Sequence, residues 1–310
     1  MKILLVQSLT EFGEPPIFPL GLCYIASHVS QHELSIFDMN IAREPYVDLN
    51  NRIMEINPEV IGLSLRNIKV AKPGIHHHSY ESHAETIRII KRACPGAVFV
   101  VGGPAFSLYA EQIMEKYPEI DLGVFGEAEE SFPELLQDLD NPQNVKGIYY
   151  RKDKALIFTG YRDFLVSSKL VSPNRDLADV GKYAETPYAV GVQARRGCVL
   201  KCIHCSDRFL MGGKIRLRDP VEVVDEIELL VKDYGLQTFF FVDQIFNIPR
   251  DHAYKICREI IQRNIEVKWT AWFNEHYIDE ELLRIVKQAG CAYLSFSPDS
   301  ASNRVLKRIN

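Results

Sequence analysis

The sequence predicts an α/β protein: a doubly wound parallel sheet followed by the opening part of a (β/α) barrel. Two observations carry the prediction. Short apolar runs alternate with segments of helical period through both halves of the chain. After a five-strand pattern, a cysteine-rich stretch, Gly191 to Asp207 (GVQARRGCVLKCIHCSD), runs on from the first strand of a four-strand one. The residues richest in chemistry fall where the apolar runs end, at the carboxyl ends of the expected strands.

Composition bounds the reading. A chain of 310 residues, 46% hydrophobic and 25% charged, has enough apolar surface for two domains with proper cores. The net charge of -5 argues against a general nucleic-acid binder. The apolar start MKILLVQ is too short for a signal peptide, and no run approaches the roughly 18 residues of a membrane span. Free cysteines without an export signal predict a reducing cytoplasm and no membrane partner.

Residues 2–6 (KILLV) fit a strand buried on both faces. A proline-rich loop leads to a helix from Leu20, with Leu22, Ile25, Ala26 and Val29 at helical spacing. Strands are then expected at Leu34 to Asp38, Val60 to Leu65, Ala97 to Val101 and Asp121 to Phe125. Helices are expected at 47–56, 82–93, 107–117 and 129–138. Ligands should lie beyond the carboxyl ends of these strands, at Arg66-Asn67, Gly102-Gly103-Pro104 and Gly126-Glu127. Glycine there lets backbone approach a ligand closely. The phosphate-binding G-x-G-x-x-G fingerprint is absent, which argues against a nicotinamide dinucleotide.

Residues 141–187 are expected to be a connector holding a small hairpin, 146–151 with 155–159. His76-His77-His78 falls in the long loop after strand three, where adjacent side chains diverge and a solvated or substrate-facing loop is expected. The second domain should open with a strand at Tyr188 to Ala194. Helix Val221 to Tyr234, strand Gln237 to Val242, helix 251–263, strand Glu266 to Ala271, helix 279–289 and strand Ala292 to Ser297 follow. Only four barrel strands are visible before Asn310.

Cys198, Cys202 and Cys205 have C-x3-C-x2-C spacing. Three thiolates on one tight loop can hold three irons of a [4Fe-4S] cube and leave the fourth open to a small molecule. Arg195, Arg196 and Lys201 bring positive charge to thiolates that must stay deprotonated. One alternative is half a zinc site with His204 as fourth ligand, although the chain has no second C-x2-C pair. A disulfide framework fits poorly, because seven cysteines is odd and Cys23, Cys94, Cys257 and Cys291 are scattered among apolar neighbours.

This loop resembles that of the radical S-adenosylmethionine (SAM) enzymes, with His204 at the position before the last Cys. PLGLCYIASHV, the strand ending FDMN, VFVVGGPAF and VFGEAEESFPELL resemble the cobalamin-binding domain fused ahead of many of them. The resemblance implies a flavodoxin- or Rossmann-like cobalamin domain at 1–140 and a truncated radical SAM partial barrel at 188–310. It implies cobalamin, SAM and a [4Fe-4S] cluster as cofactors. Cobalamin contacts are implied at Leu20, Gly21, Ser64, Arg66, Asn67, Gly102, Gly103, Pro104, Gly126 and Glu127. SAM contacts are implied at Asp243, Ser297 and Asp299, for which a helix cap or a turn is the plainer reading. The D-x-H-x-x-G motif whose His ligates cobalt is absent. Arg66 is therefore expected under the metal, or else paired with a corrin amide or with Glu127.

The activity implied is reductive cleavage of SAM followed by methyl transfer to an unactivated carbon. Cobalamin-dependent ring formation or rearrangement, and a non-enzymatic regulatory module, are the rivals. LSLRN resembles the branch that methylates tryptophan. A small-molecule or peptide substrate, an electron donor such as flavodoxin or ferredoxin, and a partner or further segment completing the barrel are the partners implied.

Overall fold

The structure, a computed structural model, describes residues 1–10, 16–67 and 80–309. His76–His78 lie outside the described residues. The chain forms two compact units, residues 1–163 with 173–179 and residues 164–172 with 180–310.

The first unit contains β1 (Lys2–Gln7), α1 (Leu20–His28), β2 (Glu33–Asp38), α2 (Pro45–Ile56), β3 (Val60–Ser64), α3 (Tyr80–Ala93) and β4 (Val98–Gly102). α4 (Pro104–Leu108), α5 (Ala110–Lys116), β5 (Leu122–Val124), α6 (Ala128–Gln137), β6 (Ile148–Lys152) and β7 (Ala155–Phe158) complete it. The strand order is β2-β1-β3-β4-β5-β6-β7. β1 to β5 are parallel, and β6 and β7 are antiparallel. The order reverses at β1 and β3, which makes the carboxyl end of that pair the switch point.

Both faces of the sheet are covered, as the continuous apolar runs require. Leu4 and Val6 point to one side, with Leu49 and Ile53 of α2 and Ile87 and Ile90 of α3. Ile3 and Leu5 point to the other, with Leu22 of α1 and Phe132 and Leu135 of α6. Two details differ from expectation. The helix expected at 107–117 is two short helices, broken where Tyr109 leaves helical geometry. The hairpin extends the sheet by pairing with β5 and is no free-standing connector.

The second unit contains α7 (Val180–Ala184), β8 (Gly191–Val192), β9 (Arg195–Arg196), α8 (Asp207–Met211), β10 (Arg216–Leu217), α9 (Pro220–Tyr234) and β11 (Thr238–Phe241). α10 (Arg250–Gln262), β12 (Lys268–Trp272), α11 (Glu280–Gln288), β13 (Cys291–Ser295) and α12 (Asn303–Ile309) follow. Four parallel strands lie in the order β13-β12-β11-β8, and β9 pairs with β10 as a separate two-stranded piece. α9 shows the expected local chemistry: the Asp219 side chain caps its first turn, Pro220 opens it, and Gly235 ends it left-handed. Phe239, Phe241, Phe246 and Trp269 pack ring on ring beneath the sheet, and Trp269 Nε1 donates to the Ala289 carbonyl at 2.7 Å.

The strand expected at Tyr188 to Ala194 is short for a specific reason. The Phe240 and Val242 amides donate to the Val190 and Val192 carbonyls, but the Ala194 and Arg195 amides turn away to the Asp243 carboxylate. A backbone donor satisfied by a side chain is lost to the ladder.

Candidate cofactor sites

In the second unit the cysteine loop is tied off at its base. Gly197 has φ +89°, and a Cβ there would lie 2.0 Å from the Lys214 carbonyl oxygen, so only glycine fits. The Cys198 amide donates to the Gly212 carbonyl at 3.0 Å. Arg216 donates to the Leu165 and Met211 carbonyls at 3.0 and 2.6 Å. Cys198 is buried with Ile245 and Ile248, Cys202 is half-buried and Cys205 is exposed; all three are free thiols.

Burial pushes the Cys202 thiol up, with added effect from Asp299 and Cys198. Burial of the sulfur also raises Cys205, and the other two cysteines add to it. The thiols thus feel one another, and metal ligation must overcome that repulsion. Among the described residues, no three His, Cys, Asp or Glu groups close on a single ion position.

Four arginines of this unit are buried: Arg195, Arg196, Arg216 and Arg218. Arg218 pairs with buried Glu226 at 2.7 Å, and Arg196 Nε donates to the Gln193 side chain at 2.8 Å. Lys201, expected beside the thiolates, is exposed. The sequence reading passed over Arg216 and Arg218. Their alternate spacing, which puts both on one face of an extended chain, was the available signal.

Asp243, just beyond the end of β11, is 1% exposed. Its Oδ1 accepts from the Ala194 and Arg195 amides at 2.9 and 3.1 Å, while Oδ2 has no partner. Burial raises its pKa to about 6, against the opposing pull of Arg195 and the two amides. Asp243 caps no helix: α10 begins after Pro249. Ser297 is exposed. Asp299 meets the cysteine loop, its Oδ1 lying 3.1 Å from His204 Nε2. The structure therefore brings Asp299 to the cysteine loop and ties Asp243 to the strand end that leads into it.

In the first unit the predicted residues line the carboxyl edge of the sheet. The Ser8 amide donates to the Ser64 carbonyl at 3.1 Å and the Leu65 amide to the Gly102 carbonyl at 2.8 Å. Gly103 has φ +96°, and a Cβ there would lie 2.6 Å from the Leu65 oxygen and 2.9 Å from Ser64 Oγ. That glycine admits the neighbouring strand end. Pro104 opens α4. The Gly126 amide donates to Ser107 Oγ at 2.9 Å, and the space beyond its missing Cβ is open. Gly21 likewise faces open space beside Leu20 at the start of α1, and Glu127 precedes α6.

Arg66 is half-buried and engaged in contacts, and Asn67 is exposed. The Asn67 carbonyl accepts from His83 Nε2 at 2.8 Å; burial holds His83 below its usual pKa, and its Nδ1 has no partner. His83 carried no sequence signal, being one polar residue in a helix-period stretch.

Comparison with known proteins fits this geometry. A family model described as the B12 binding domain matches residues 14–136, and one described as the radical SAM superfamily matches residues 192–310. The chain therefore carries a B12-binding domain followed by a radical SAM domain. Cobalamin, SAM and a [4Fe-4S] cluster are the cofactors these two domains imply.

The family relatives include an uncharacterised methyltransferase of Pyrococcus horikoshii, 28% identical over 321 residues, covering 100% of this chain and 68% of that protein. An anaerobic magnesium-protoporphyrin IX monomethyl ester cyclase of Cereibacter sphaeroides is 26% identical over 309 residues, covering 96% of this chain and 49% of its own length. The fold is that of the radical SAM methyltransferase TsrM from Kitasatospora setae, with TM-score 0.86 at 21% identity over 98% of this chain and 60% of that one. The chain thus spans about half to two-thirds of the proteins it matches.

The residues present fit the family's cluster. Three free thiols of graded burial share one loop, and at the strand end that leads into it a buried guanidinium nitrogen of Arg195 and a carboxylate oxygen of Asp243 lack partners. No helix among the described residues is long and apolar enough to cross a membrane.

Proposed function

We propose that this chain is the cofactor-binding part of a cobalamin-dependent radical SAM C-methyltransferase. The observation that carries the reading is a B12-binding match and a radical SAM match on one chain, the second containing the three-thiol loop. When bound, the cluster with SAM supplies a radical able to take hydrogen from an unactivated carbon, and cobalamin carries the methyl group.

The chain's own residues hold and orient. Cys198, Cys202 and Cys205 would ligate three irons, with Cys198 on the dry side among Ile245 and Ile248. Asp243 fixes the strand end that launches the loop. From the segment after β13, Asp299 meets the loop through His204, and Ser297 lies two residues before it. Residues 1–140, with Leu20, Gly21, Ser64, Arg66, Asn67, Gly102–Pro104, Gly126 and Glu127 along one sheet edge, receive the corrin. The substrate is a small molecule, the electron donor a flavodoxin or ferredoxin, and the compartment the cytoplasm.

The test is product analysis after anaerobic reconstitution with cobalamin, SAM and a low-potential reductant. S-adenosylhomocysteine together with 5′-deoxyadenosine is the expected result. Deoxyadenosine alone would move the reading toward the cyclase relatives, and neither product would overturn it.

A further inference from the structure

The second unit buries a guanidinium that its own contacts do not fully satisfy. Arg195 is 1% exposed, among the largest fully buried side chains of the protein. Its Nη1 donates to the Ile248 carbonyl, and its Nε–H has no partner. A buried donor left unpaired is costly, more so when charged. Burial disfavours the guanidinium charge, while Asp243 and Cys198 act in its favour. The placement is fixed from three sides. Asp243 holds the Arg195 amide, β9 pairs with β10 across Leu217, and Ile248, which receives the guanidinium, packs with Cys198.

This guanidinium therefore lies close to the most buried of the three thiols, in a place that water does not screen. Accepting an electron adds a negative charge to a thiolate-bound cluster that is already anionic. A fixed cation in a dry site stabilises that form more than the oxidised one, and charge and burial are recognised levers on cluster potentials. We propose that Arg195 is an electrostatic positioning residue that raises the cluster's reduction potential, with Asp243 as the anchor that fixes its backbone beneath Cys198. The inference rests on the reading of Cys198, Cys202 and Cys205 as cluster ligands.

The test uses the full chain, reconstituted anaerobically with iron and sulfide, without SAM turnover. Iron content is measured first, and then the midpoint is found by electron paramagnetic resonance during a redox titration. Arg195→Met, which keeps volume and removes charge, should move the reduction equilibrium at least tenfold toward the oxidised form. That is a midpoint about 59 mV lower for a one-electron couple. Arg195→Lys, which keeps charge and loses the planar fork, should titrate close to wild type.

Full iron in Arg195→Met with an unchanged midpoint overturns the proposal. So does an Arg195→Lys variant that shifts as far as Arg195→Met, since the role would then be packing. If Arg195→Met takes up no iron, Arg195→Lys decides: loading at the wild-type midpoint supports a charge requirement, and failure to load counts against it. Absence of iron from the wild type would instead sink the ligand assignment itself.

Discussion

The two units solve the same problem with opposite chemistry. Each ends parallel strands at an edge suited to a ligand, as open α/β sheets do. In the first unit, the ends of β3, β4 and β5 are joined by backbone amides, carbonyls and the Ser107 hydroxyl, without an ionised group in those contacts. In the second, the corresponding edge rests on buried Arg195, Arg196 and Arg218 and a fully enclosed Asp243. An edge tied together by backbone suits a broad ligand that arrives with its own amides. A charged base suits a ligand set of thiolates, whose ionisation needs compensation. The fold fixes where ligands lie; the side chains fix what charge they carry.

The comparison breaks most sharply at the thiols. Replacing Cys198, Cys202 or Cys205 with Ala should abolish iron retention after anaerobic reconstitution. Cys257→Ser, which alters a buried thiol on α10, should keep it. Iron analysis with absorbance near the cluster bands checks this, and stoichiometric zinc in the wild type would contradict it.

Three glycines test the next level. Gly197→Ala and Gly103→Ala combine a left-handed φ with a backbone clash, at 2.0 and 2.6 Å, whereas Gly126→Ala has only the φ of +78°. The first two should each cost several kcal/mol, of order 3 or more, and the last about 1 kcal/mol. Thermal unfolding should rank them in that order. Gly197→Ala should also lose iron, and Gly103→Ala should not.

A pH series isolates the charged base. Folding raises Asp243 from 3.8 to about 6, so the protonated carboxyl favours the folded state. That contribution is fully present below about pH 3.8 and is lost as pH rises through about 6. Its ceiling is about 3 kcal/mol at 1.36 kcal/mol per pKa unit. Asp243→Asn keeps an Oδ1 acceptor and removes the titration. Between pH 4 and 7 it should gain on the wild type by up to about that amount in denaturant unfolding. Parallel curves across that range would show that Asp243 is not desolvated in solution.

The smallest effect belongs to the exposed His204–Asp299 contact at 3.1 Å, where Asp299→Asn should change stability by at most about 1 kcal/mol.

Much of this was legible in the chain. Strand positions followed from apolar runs such as KILLV and QTFFFV, because a strand covered on both faces has no polar side to show. The cysteine spacing named its own loop. The work done by Asp243 was hidden, because a carboxylate at a strand end looks the same whether it faces a ligand or its own backbone. β8 was overestimated for the same reason: apolar Ala194 fits a strand, and nothing local says that its amide is taken by a residue 49 positions later. The break at Tyr109 and the pairing of Arg218 with Glu226 are likewise tertiary choices among several that the local sequence permits.

The Asp243 contacts also order events in time. They span 48 and 49 residues, so the launching strand cannot settle until α9 has formed and β11 has docked beside β8. On that order, iron would enter a loop whose base is already folded, with Cys205 exposed and Cys198 buried. Hydrogen exchange on iron-free protein should find the Ala194 and Arg195 amides already protected. If protection comes only with iron, the metal organises its own cradle.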